Sequence, residues 1–258
     1  MKTHCLLPVM LFLSLSTLFS SAQTNSANAD NPALTRFGDA ITFYLSFDRG
    51  VNAELAKGEA APTKTDDGEP QFLPGLHGKA MMLVGKGQST FGYSAAGNVD
   101  LTRPGAAVAW TSPHDWVRSD TEDYFFPVTI MSHGVKLLLG RQGRLKADRT
   151  DMIYAWAKLG DSKEILIQGG NSLGWQNGEW HLWVMNWRSN AVEFSLDGAP
   201  LGRVDTPVRF PSEGDGAGLI KVGAQSASCR YLIDEVMILD RPLTDEEATW
   251  IYDEGMKQ

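Results

Sequence analysis

The sequence predicts an all-β fold in which two antiparallel sheets pack face to face as a sandwich or jelly roll. Roughly ten to twelve strand-sized apolar runs follow one another along about 220 residues, and turn residues separate them. Helix signals occur in one short segment close to the C-terminus. A series of strands without alternating helices favours a sandwich over βαβ units, and the length suits one domain.

The clearest strand pair lies between Gly178 and Gly198. Residues 182–187 carry bulky side chains on both faces, which indicates a strand buried on both sides. Residues 191–196 alternate apolar and polar side chains, as a half-buried strand does. Asp197 and Gly198 then supply the positive φ of a tight turn.

Other strands are predicted by the same alternation on both sides of this pair. In the first of them, Ile41, Phe43 and Leu45 share one face. Residues 49–78 are rich in Gly, Pro and Asp and predict an irregular surface crossing. The predicted strands comprise residues 40–48, 79–84, 106–111, 128–132, 135–139, 152–157, 164–168, 219–222 and 231–239.

The single predicted helix follows Pro242. Thr244 and Glu247 have the spacing of a capping box, and Gly255 is predicted to end the helix. Apolar residues three and four positions apart form one face, so we expect this helix to pack on the edge of the sandwich.

The N-terminus has the pattern of a cleavable secretory signal over residues 1–22. It begins with Lys2, continues with an apolar run and ends in small residues. The apolar run is shorter than the about 20 residues that a membrane-spanning helix needs. Residues 23–36 predict a flexible leader and residues 37–258 the folded domain. We therefore expect a secreted or periplasmic protein without membrane insertion.

The charge of the chain limits its partners. There are 23 Lys and Arg residues against 31 Asp and Glu, a formal net charge of −8. Nucleic acids and anionic membranes are bound through basic patches, and the sequence has no basic stripe, so neither is expected as a partner. A neutral or cation-bridged ligand suits this average charge better.

Four blocks of the sequence carry a resemblance to a known family: PGLHGKAMML (74–83), GAAVAWTSPHDW (105–116), NGEWHLWVMNW with SLDG (177–187 and 195–198), and IDEVMILDRPLTDEEATWIYDEG (233–255). Together they resemble the corresponding blocks of laminin-G-like, concanavalin A-like jelly-roll domains. The resemblance extends from Ile41 to Gly255. It implies a secreted sandwich that binds carbohydrate or protein, sometimes with calcium, and that carries an active site only in some branches.

Catalytic chemistry is not expected from the acidic residues. A retaining glycosidase needs two carboxylates about 5 Å apart in a cleft. Asp234 and Glu235 are adjacent on a predicted strand and should therefore face opposite sides. The Glu-x-Asp-x-Glu pattern of catalytic relatives of this fold does not occur in the chain.

Aromatic residues in predicted loops are the candidates for ligand contact. Sugar recognition uses flat aromatic faces with a few polar groups for orientation. Trp116, Tyr124 and Trp175 fall in predicted loops, and His114 is the histidine most suited to a ligand role. The alternative is that a loop tryptophan folds back over the edge of the sandwich.

The resemblance also implies a possible calcium site. Related domains use an acidic residue after the first strand together with the Ile-Asp-Glu strand, and the corresponding residues here are Asp48 and Asp234. The alternative is that these carboxylates pair with Arg49, Arg230 or backbone donors.

Three functions follow, in order of preference. The first is a non-catalytic extracellular binding module for carbohydrate. The second is a structural or protein-interaction domain, with an extracellular protein as its partner. The third is a divergent glycan-cleaving enzyme.

Overall fold

A computed structural model describes residues 31–65, 69–83, 90–115, 124–143, 151–214, 216–225 and 230–257. Asn31–Gln258 form one compact unit. The predicted signal peptide, residues 1–22, lies outside the described residues, as do residues 23–30 of the predicted leader. No helix within the described ranges has the length and apolar character needed to cross a membrane.

The described residues form two α-helices and sixteen strands. The helices are α1 (Pro32–Phe37), which a 3-10 turn follows at Gly38–Ala40, and α2 (Asp245–Gly255). The strands are β1 (Ile41–Leu45), β2 (Leu55–Ala56), β3 (Lys64–Thr65), β4 (Gln71–Pro74), β5 (Lys79–Leu83), β6 (Phe91–Ser94), β7 (Gly105–His114), β8 (Tyr124–Ser132), β9 (Val135–Gln142), β10 (Met152–Leu159), β11 (Ile165–Gln168), β12 (His181–Arg188), β13 (Ala191–Leu196), β14 (Ala199–Asp205), β15 (Gly218–Gln225) and β16 (Arg230–Leu239).

The strands form two antiparallel sheets, which confirms the predicted sandwich. The nine-stranded sheet has the order β14-β13-β12-β7-β16-β1-β2. In addition, β5 pairs with β16, and β4 pairs with β5. The seven-stranded sheet has the order β11-β10-β9-β8-β15-β6-β3. Asp197 and Gly198 join β13 to β14 with φ angles of 52° and 76°, as the sequence predicts.

The main core lies between the two sheets. It takes the inward side chains of both sheets, including Phe43, Ile130 and Ile238. Trp183 and Trp187 are fully buried in it, as predicted. Each indole N–H donates a hydrogen bond of 2.8 Å, to the hydroxyl of Thr111 and to the carbonyl of Arg103 respectively, so neither polar atom is left unpaired.

The outer face of the nine-stranded sheet is covered by both helices, and we call it the helix-covered face. Its strands contribute side chains such as Tyr44, Val108 and Trp110, and the helices contribute Ala33, Phe37, Ala248 and Ile251 to the same buried cluster. These apolar contacts form a second, smaller core outside the sandwich.

Helix α2 begins with the predicted capping box. The Thr244 hydroxyl accepts from the Glu247 N–H at 3.2 Å, and the Glu247 carboxylate accepts from the Thr244 N–H at 3.0 Å. Gly255 is the last residue of the helix and does not adopt the left-handed conformation. A Cβ atom at Gly255 would lie 2.5 Å from the Trp110 ring, so this glycine permits close packing of the helix on the sheet.

Helix α1 corrects the predicted leader boundary, because it is built from residues 32–37. Phe37 contacts the Trp250 ring edge-on at 5.9 Å, and the Arg36 guanidinium lies 4.2 Å from the centre of the same ring. The folded unit therefore begins before residue 37.

Strand β16 contains a bulge between Asp234 and Met237. Glu235 has a φ of 51°, and the extra residue turns the side chains of Asp234 and Glu235 to the same outer face. The prediction that adjacent acids face opposite sides is therefore wrong at this point. Residues 231–233 pair with β5, and residues 236–239 pair with β1.

Candidate functional site

The outer face of the seven-stranded sheet is the candidate site. Alternate side chains of a strand point to opposite faces, so every second residue of β8, β9, β10, β11 and β15 points away from the core. We call this surface the aromatic face. It comprises Tyr124, Phe126, Thr129, Met131, Lys136, Leu138, Gly140, Gln142, Met152, Tyr154, Trp156, Lys158, Leu166, Gln168, Leu219 and Lys221.

Gly140 makes the centre of the aromatic face compact. A Cβ atom there would lie 2.8 Å from Cζ of Tyr154 and 3.1 Å from Cδ1 of Phe126, so both rings lie directly over the glycine. Phe126 also contacts Tyr124, with ring centres 6.1 Å apart. Burial raises the pKa of the Tyr154 hydroxyl to about 12. The cluster thus presents a dense aromatic surface with little local freedom.

Trp156 follows Tyr154 by two residues on β10, so both side chains lie on the aromatic face, and the Trp156 side chain is half-exposed. It stands between Leu138 of β9 and Leu166 of β11 in the strand register. Its indole N–H donates to the Glu164 carboxylate at 3.3 Å. The Lys136 ammonium lies 5.5 Å from the centre of its ring. The indole is therefore held by a hydrogen bond at its N–H and by an ammonium group over its ring.

The aromatic face differs from the helix-covered face in what lies on it. Both described helices pack on the nine-stranded sheet. On the aromatic face, Leu166 exposes 47% of its surface, and Tyr124, Phe126 and Trp156 are half-buried. Partly exposed aromatic and aliphatic side chains make this surface a candidate contact site for a ligand or a partner.

The structure places the predicted ligand residues on three different elements. Tyr124 is the first residue of β8 and part of the aromatic face, whereas the sequence placed it in a loop. His114 ends β7, with Nε2 3.8 Å from the Asp115 carboxylate, and Arg230 binds the other oxygen of that carboxylate at 3.0 Å. Trp116 lies outside the described residues.

Trp175 lies in the segment between β11 and β12 and packs on the end of the sandwich. Its ring stacks on His181 with centres 3.7 Å apart, and meets Trp183 edge-on at 5.8 Å. Nδ1 of His181 lies 2.9 Å from the Asp197 carboxylate. This arrangement matches the alternative in which a loop tryptophan folds back over the sandwich.

The two predicted calcium ligands lie beside the same turn, residues 74–79. One Asp234 oxygen accepts from the N–H groups of Leu76 and His77 at 2.9 and 3.2 Å, and the other accepts from the Glu235 N–H at 2.9 Å. Asp48 accepts from the Lys79 N–H at 2.7 Å. Burial and the neighbouring Glu235 raise the pKa of Asp234 well above its ordinary value, while the three donors oppose this rise.

These donors do not fit a calcium site at Asp234. Calcium requires several oxygen ligands, and the Asp234 carboxylate faces backbone N–H groups. No group of three or more His, Cys, Asp or Glu residues in the described part of the chain could hold a metal ion. The contacts of Asp48 and Asp234 correspond to the alternative of backbone pairing.

Glu235 is a second buried acid beneath the helix-covered face. Its carboxylate accepts from the Tyr44 hydroxyl at 2.8 Å and from the side-chain amide of Asn31, the N-cap residue of α1. Burial raises the pKa of Glu235 to about 8, although the two hydrogen bonds lower it, and the charges of Asp48 and Glu54 add to the rise. The acid pair thus fastens the N-terminal helix and the turn 74–79 to β16.

A cavity of about 520 Å³ opens at the end of the sandwich where β1 begins. Its charged groups are largely engaged within its own wall: Lys57 pairs with Asp240 at 3.2 Å, and Arg103 lies 3.7 Å from Asp100. Hydrogen bonds from Thr102 keep the pKa of Asp100 below its ordinary value against the effect of burial. Among the described residues that line this cavity there is no Phe, Tyr or Trp, whereas the candidate site presents several of them.

Sequence reasoning missed Phe126, Tyr154 and Trp156. One signal for β10 was available: the residues that alternate with Tyr154 and Trp156 include Ala155 and Ala157. Small residues on one face and large aromatic ones on the other indicate that the aromatic side is not the crowded interior of the sandwich.

Solved structures of similar fold are binding domains. The chain aligns with the binding domain of Paraclostridial mosquitocidal protein 1 at a TM-score of 0.63 and 14% identity, over 83% of this chain and 52% of that one. The binding domain of botulinum neurotoxin DC, in complex with rat synaptotagmin II, aligns at 0.64 and 10%, over 85% and 52%. The chain thus spans about half the length of these two toxin domains.

A third neighbour matches over almost its whole length. Domain 4 of AbnA, a GH43 extracellular arabinanase from Geobacillus stearothermophilus, was solved with arabinotriose and aligns at a TM-score of 0.56 and 19% identity. The alignment covers 82% of this chain and 98% of that domain. At these identities the neighbours establish the shared fold.

A comparison with the curated proteins found no match. A sequence model of one family, described as the concanavalin A-like lectin/glucanases superfamily, matches residues 85–249, more than half of the chain. This match extends from β6 into the first turns of α2 and includes all strands of the aromatic face. The chain therefore belongs to the concanavalin A-like lectin/glucanases superfamily.

Proposed function

We propose that this protein is a non-catalytic carbohydrate-binding module and that the aromatic face holds the saccharide. The observation that carries the proposal is the cluster of Tyr124, Phe126, Tyr154 and Trp156 on the outer face of the seven-stranded sheet. The family supports a lectin-like role, because its description joins lectins and glucanases.

The chemistry of the aromatic face suits a sugar ring. Sugar rings present C–H surfaces that pack on flat aromatic side chains, while hydroxyl groups need a few fixed hydrogen-bond partners. Trp156 supplies a half-exposed indole, and Gln142 and Gln168 stand beside the aromatic cluster with amide donors and acceptors. Because strands carry these groups, their spacing is fixed before a ligand arrives.

A structural neighbour supports the ligand class. Domain 4 of the arabinanase was solved with arabinotriose, and it matches this chain over 98% of its own length. The toxin domains are twice as long as the matched region, so their protein and glycan partners give weaker support.

The position of the acidic residues supports binding without hydrolysis. Asp234 and Glu235 are buried beneath the other sheet's outer face, where backbone, Tyr44 and Asn31 groups occupy them. The strands of the aromatic face contain no Asp or Glu. A glycosidase needs two carboxylates beside the scissile bond, and these strands offer none.

Export forms part of the proposal and rests on residues 1–22. A secreted or periplasmic module would meet polysaccharide outside the cytoplasm, and an extracellular protein is the competing partner for the same aromatic surface. Protein binding predicts that soluble sugars have no effect on the interaction.

The test is affinity electrophoresis of the mature protein against neutral polysaccharides, beginning with arabinan. We expect Trp156→Ala to lose about 1–3 kcal/mol of binding free energy, since a stacked ring is removed, with little change in melting temperature. The matched variant is Trp175→Ala, in which the loop tryptophan predicted from the sequence is removed instead.

The two variants separate the possible sites. Retention lost in Trp175→Ala and kept in Trp156→Ala would move the site to the end of the sandwich. A protein that no polysaccharide retards, neutral or charged, would refute the carbohydrate proposal.

A further inference from the structure

The aromatic face carries a charge opposite to that of the chain. The whole protein has a formal net charge of −8. Strands β6, β8, β9, β10, β11 and β15 contain no Asp or Glu, and three lysines, Lys136, Lys158 and Lys221, point outward from them. Among the described residues, Glu164, just before β11, is an acid that contacts this face, and it accepts from the indole N–H of Trp156. The outward side chains of these strands therefore carry a net positive charge.

Two of these lysines stand directly opposite each other. Lys136 of β9 and Lys158 of β10 are register partners in the antiparallel pair. Side chains in such a pair have Cβ atoms about 4.5–5.5 Å apart, and like charges there destabilise the sheet. In the described parts of the chain, no carboxylate lies within ion-pair distance of Lys136, Lys158 or Lys221. Among the described residues, this like-charge pair therefore has no carboxylate partner, and the contact of Lys136 with the Trp156 ring is the stabilising interaction that the structure records for it.

The lysines also lie beside the proposed stacking platform. The Lys136 ammonium lies 5.5 Å from the centre of the Trp156 ring, which is the half-exposed indole of this face. Lys221 stands in the same cross-strand row as Leu138 and Trp156, through Thr129. Strands are about 4.8 Å apart, so the backbone positions of Lys221 and Trp156 in this row lie roughly 14 Å apart, a distance of two to three sugar units. Cationic groups therefore flank the aromatic surface on more than one side.

We propose that the aromatic face binds an anionic polysaccharide, one that carries carboxylate or sulfate groups on its sugar rings. This inference rests on the proposed function and specifies its ligand. The sugar ring packs on Trp156, and the anionic substituents neutralise Lys136 and Lys158, which relieves their mutual repulsion. The average charge of the sequence favours a neutral ligand, and the distribution of charge over the two sheets reverses that expectation.

The first experiment compares matched polymers that differ only in charge. Dextran is compared with dextran sulfate, and methyl-esterified pectin with polygalacturonate, by affinity electrophoresis and isothermal titration calorimetry. We expect each charged polymer to bind at least about tenfold more tightly than its neutral partner at 50 mM NaCl, and this preference to fall at 500 mM as salt screens the charges. The two pairs distinguish sulfate from carboxylate as the recognised group.

The second experiment removes the cross-strand lysines. Lys136→Met with Lys158→Met retains side-chain length and removes two charges, and we expect about fivefold weaker binding of the preferred polymer with a reduced salt dependence. The control is Lys79→Met with Lys257→Met, which removes two exposed lysines outside the aromatic face. The melting temperature of the first double variant should equal or exceed that of the wild type, because a like-charge pair is removed.

The outcomes separate this inference from the proposed function. Equal binding of charged and neutral polymers, with loss in Trp156→Ala, would overturn the anionic preference and leave the carbohydrate module standing. Single-stranded DNA that binds as tightly as the charged polysaccharides would also overturn it, since any polyanion would then suffice. A lower melting temperature in Lys136→Met with Lys158→Met would assign these lysines a structural role and refute the inference.

Discussion

The outer faces of the two sheets carry similar residues, but in the described structure helices cover one of them, and aromatic side chains of the other stay partly exposed. Trp110 of β7 and Trp156 of β10 are both outward-facing tryptophans; β7 lies in the middle of its sheet, and β10 lies next to the edge strand β11 of the other sheet. Trp110 is 2% exposed, because Tyr252 of α2 stacks on it at 5.8 Å and Gly255 allows the helix to approach. Trp156 remains half-exposed beside lysines and glutamines. Whether an outward aromatic side chain is buried or stays partly exposed is thus decided by the element that covers it.

The difference follows from where the helices begin and end. Thr244 and Glu247 cap the start of α2, and the Asn186 side chain of β12 fixes this end to the sheet by accepting from the Leu243 N–H at 2.9 Å. Asn31 fixes α1 through Glu235. Both attachments use polar groups of the nine-stranded sheet. The strands of the seven-stranded sheet provide lysines and glutamines outward instead, and these side chains remain solvated.

The largest expected effect is a difference in the free energy of unfolding between variants of the two tryptophans. Trp110→Ala removes a buried ring from the cluster beneath α2 and is expected to lower the free energy of unfolding by about 3–5 kcal/mol. Trp156→Ala should cost about 1 kcal/mol or less, because its ring is half-exposed. Urea denaturation of both variants provides the measurement. Equal losses would mean that the aromatic face is as well packed as the helix-covered face.

A smaller effect should appear in the pH dependence of stability. Glu235 has an ordinary pKa of 4.5 and a folded pKa of about 8, so the folded protein binds more protons between these values. Its contribution to stability is complete below the unfolded pKa and is lost as the pH rises through the folded pKa. We expect the free energy of unfolding to fall by about 3 kcal/mol between pH 5 and pH 8 from this group.

Glu235→Gln tests whether Glu235 causes this decline in the free energy of unfolding. The amide does not titrate, so the stability of this variant should change less between pH 5 and pH 8. Asp253→Asn, an exposed acid on α2, is the matched control and should retain the decline. Stability that rises from pH 5 to pH 8 in the wild type would show that Glu235 is ionised when folded.

The smallest expected effect is that of calcium. Backbone N–H groups surround Asp234, so 1 mM calcium should change the melting temperature by less than about 1 °C. Differential scanning fluorimetry with calcium and with chelator measures this shift. A clear rise that Asp48→Asn abolishes would restore the calcium site predicted from the sequence.

Most of the sandwich could be predicted from alternation and turn residues. The strand pair β12 and β13, the turn at Asp197 and Gly198 and the capping box of α2 depend on neighbouring residues, and the structure confirms them. Short edge strands such as β2, β3 and β4 were missed, because two to four residues carry too little periodicity. Gly255 was read as a helix terminator, although its role is contact with a residue 145 positions earlier in the chain.

The candidate site was largely beyond prediction for a similar reason. Tyr124, Phe126, Tyr154 and Trp156 come together only when β8, β9 and β10 pair in register, and Gly140 admits two of the rings. Tyr124 was the one member recognised, as a loop residue. The bulge at Glu235 likewise requires a positive φ that a glutamate rarely adopts, so its sequence gave no local signal.

The Asp234 side chain has a consequence for how the nine-stranded sheet divides. β16 pairs with β5 up to Ile233 and with β1 from Val236 onward, so Asp234 lies where its partner strand changes. One carboxylate oxygen accepts from the N–H groups of Leu76 and His77, in the turn between β4 and β5. A single side chain thereby ties that turn to β16 at the point where two edges of the sheet diverge.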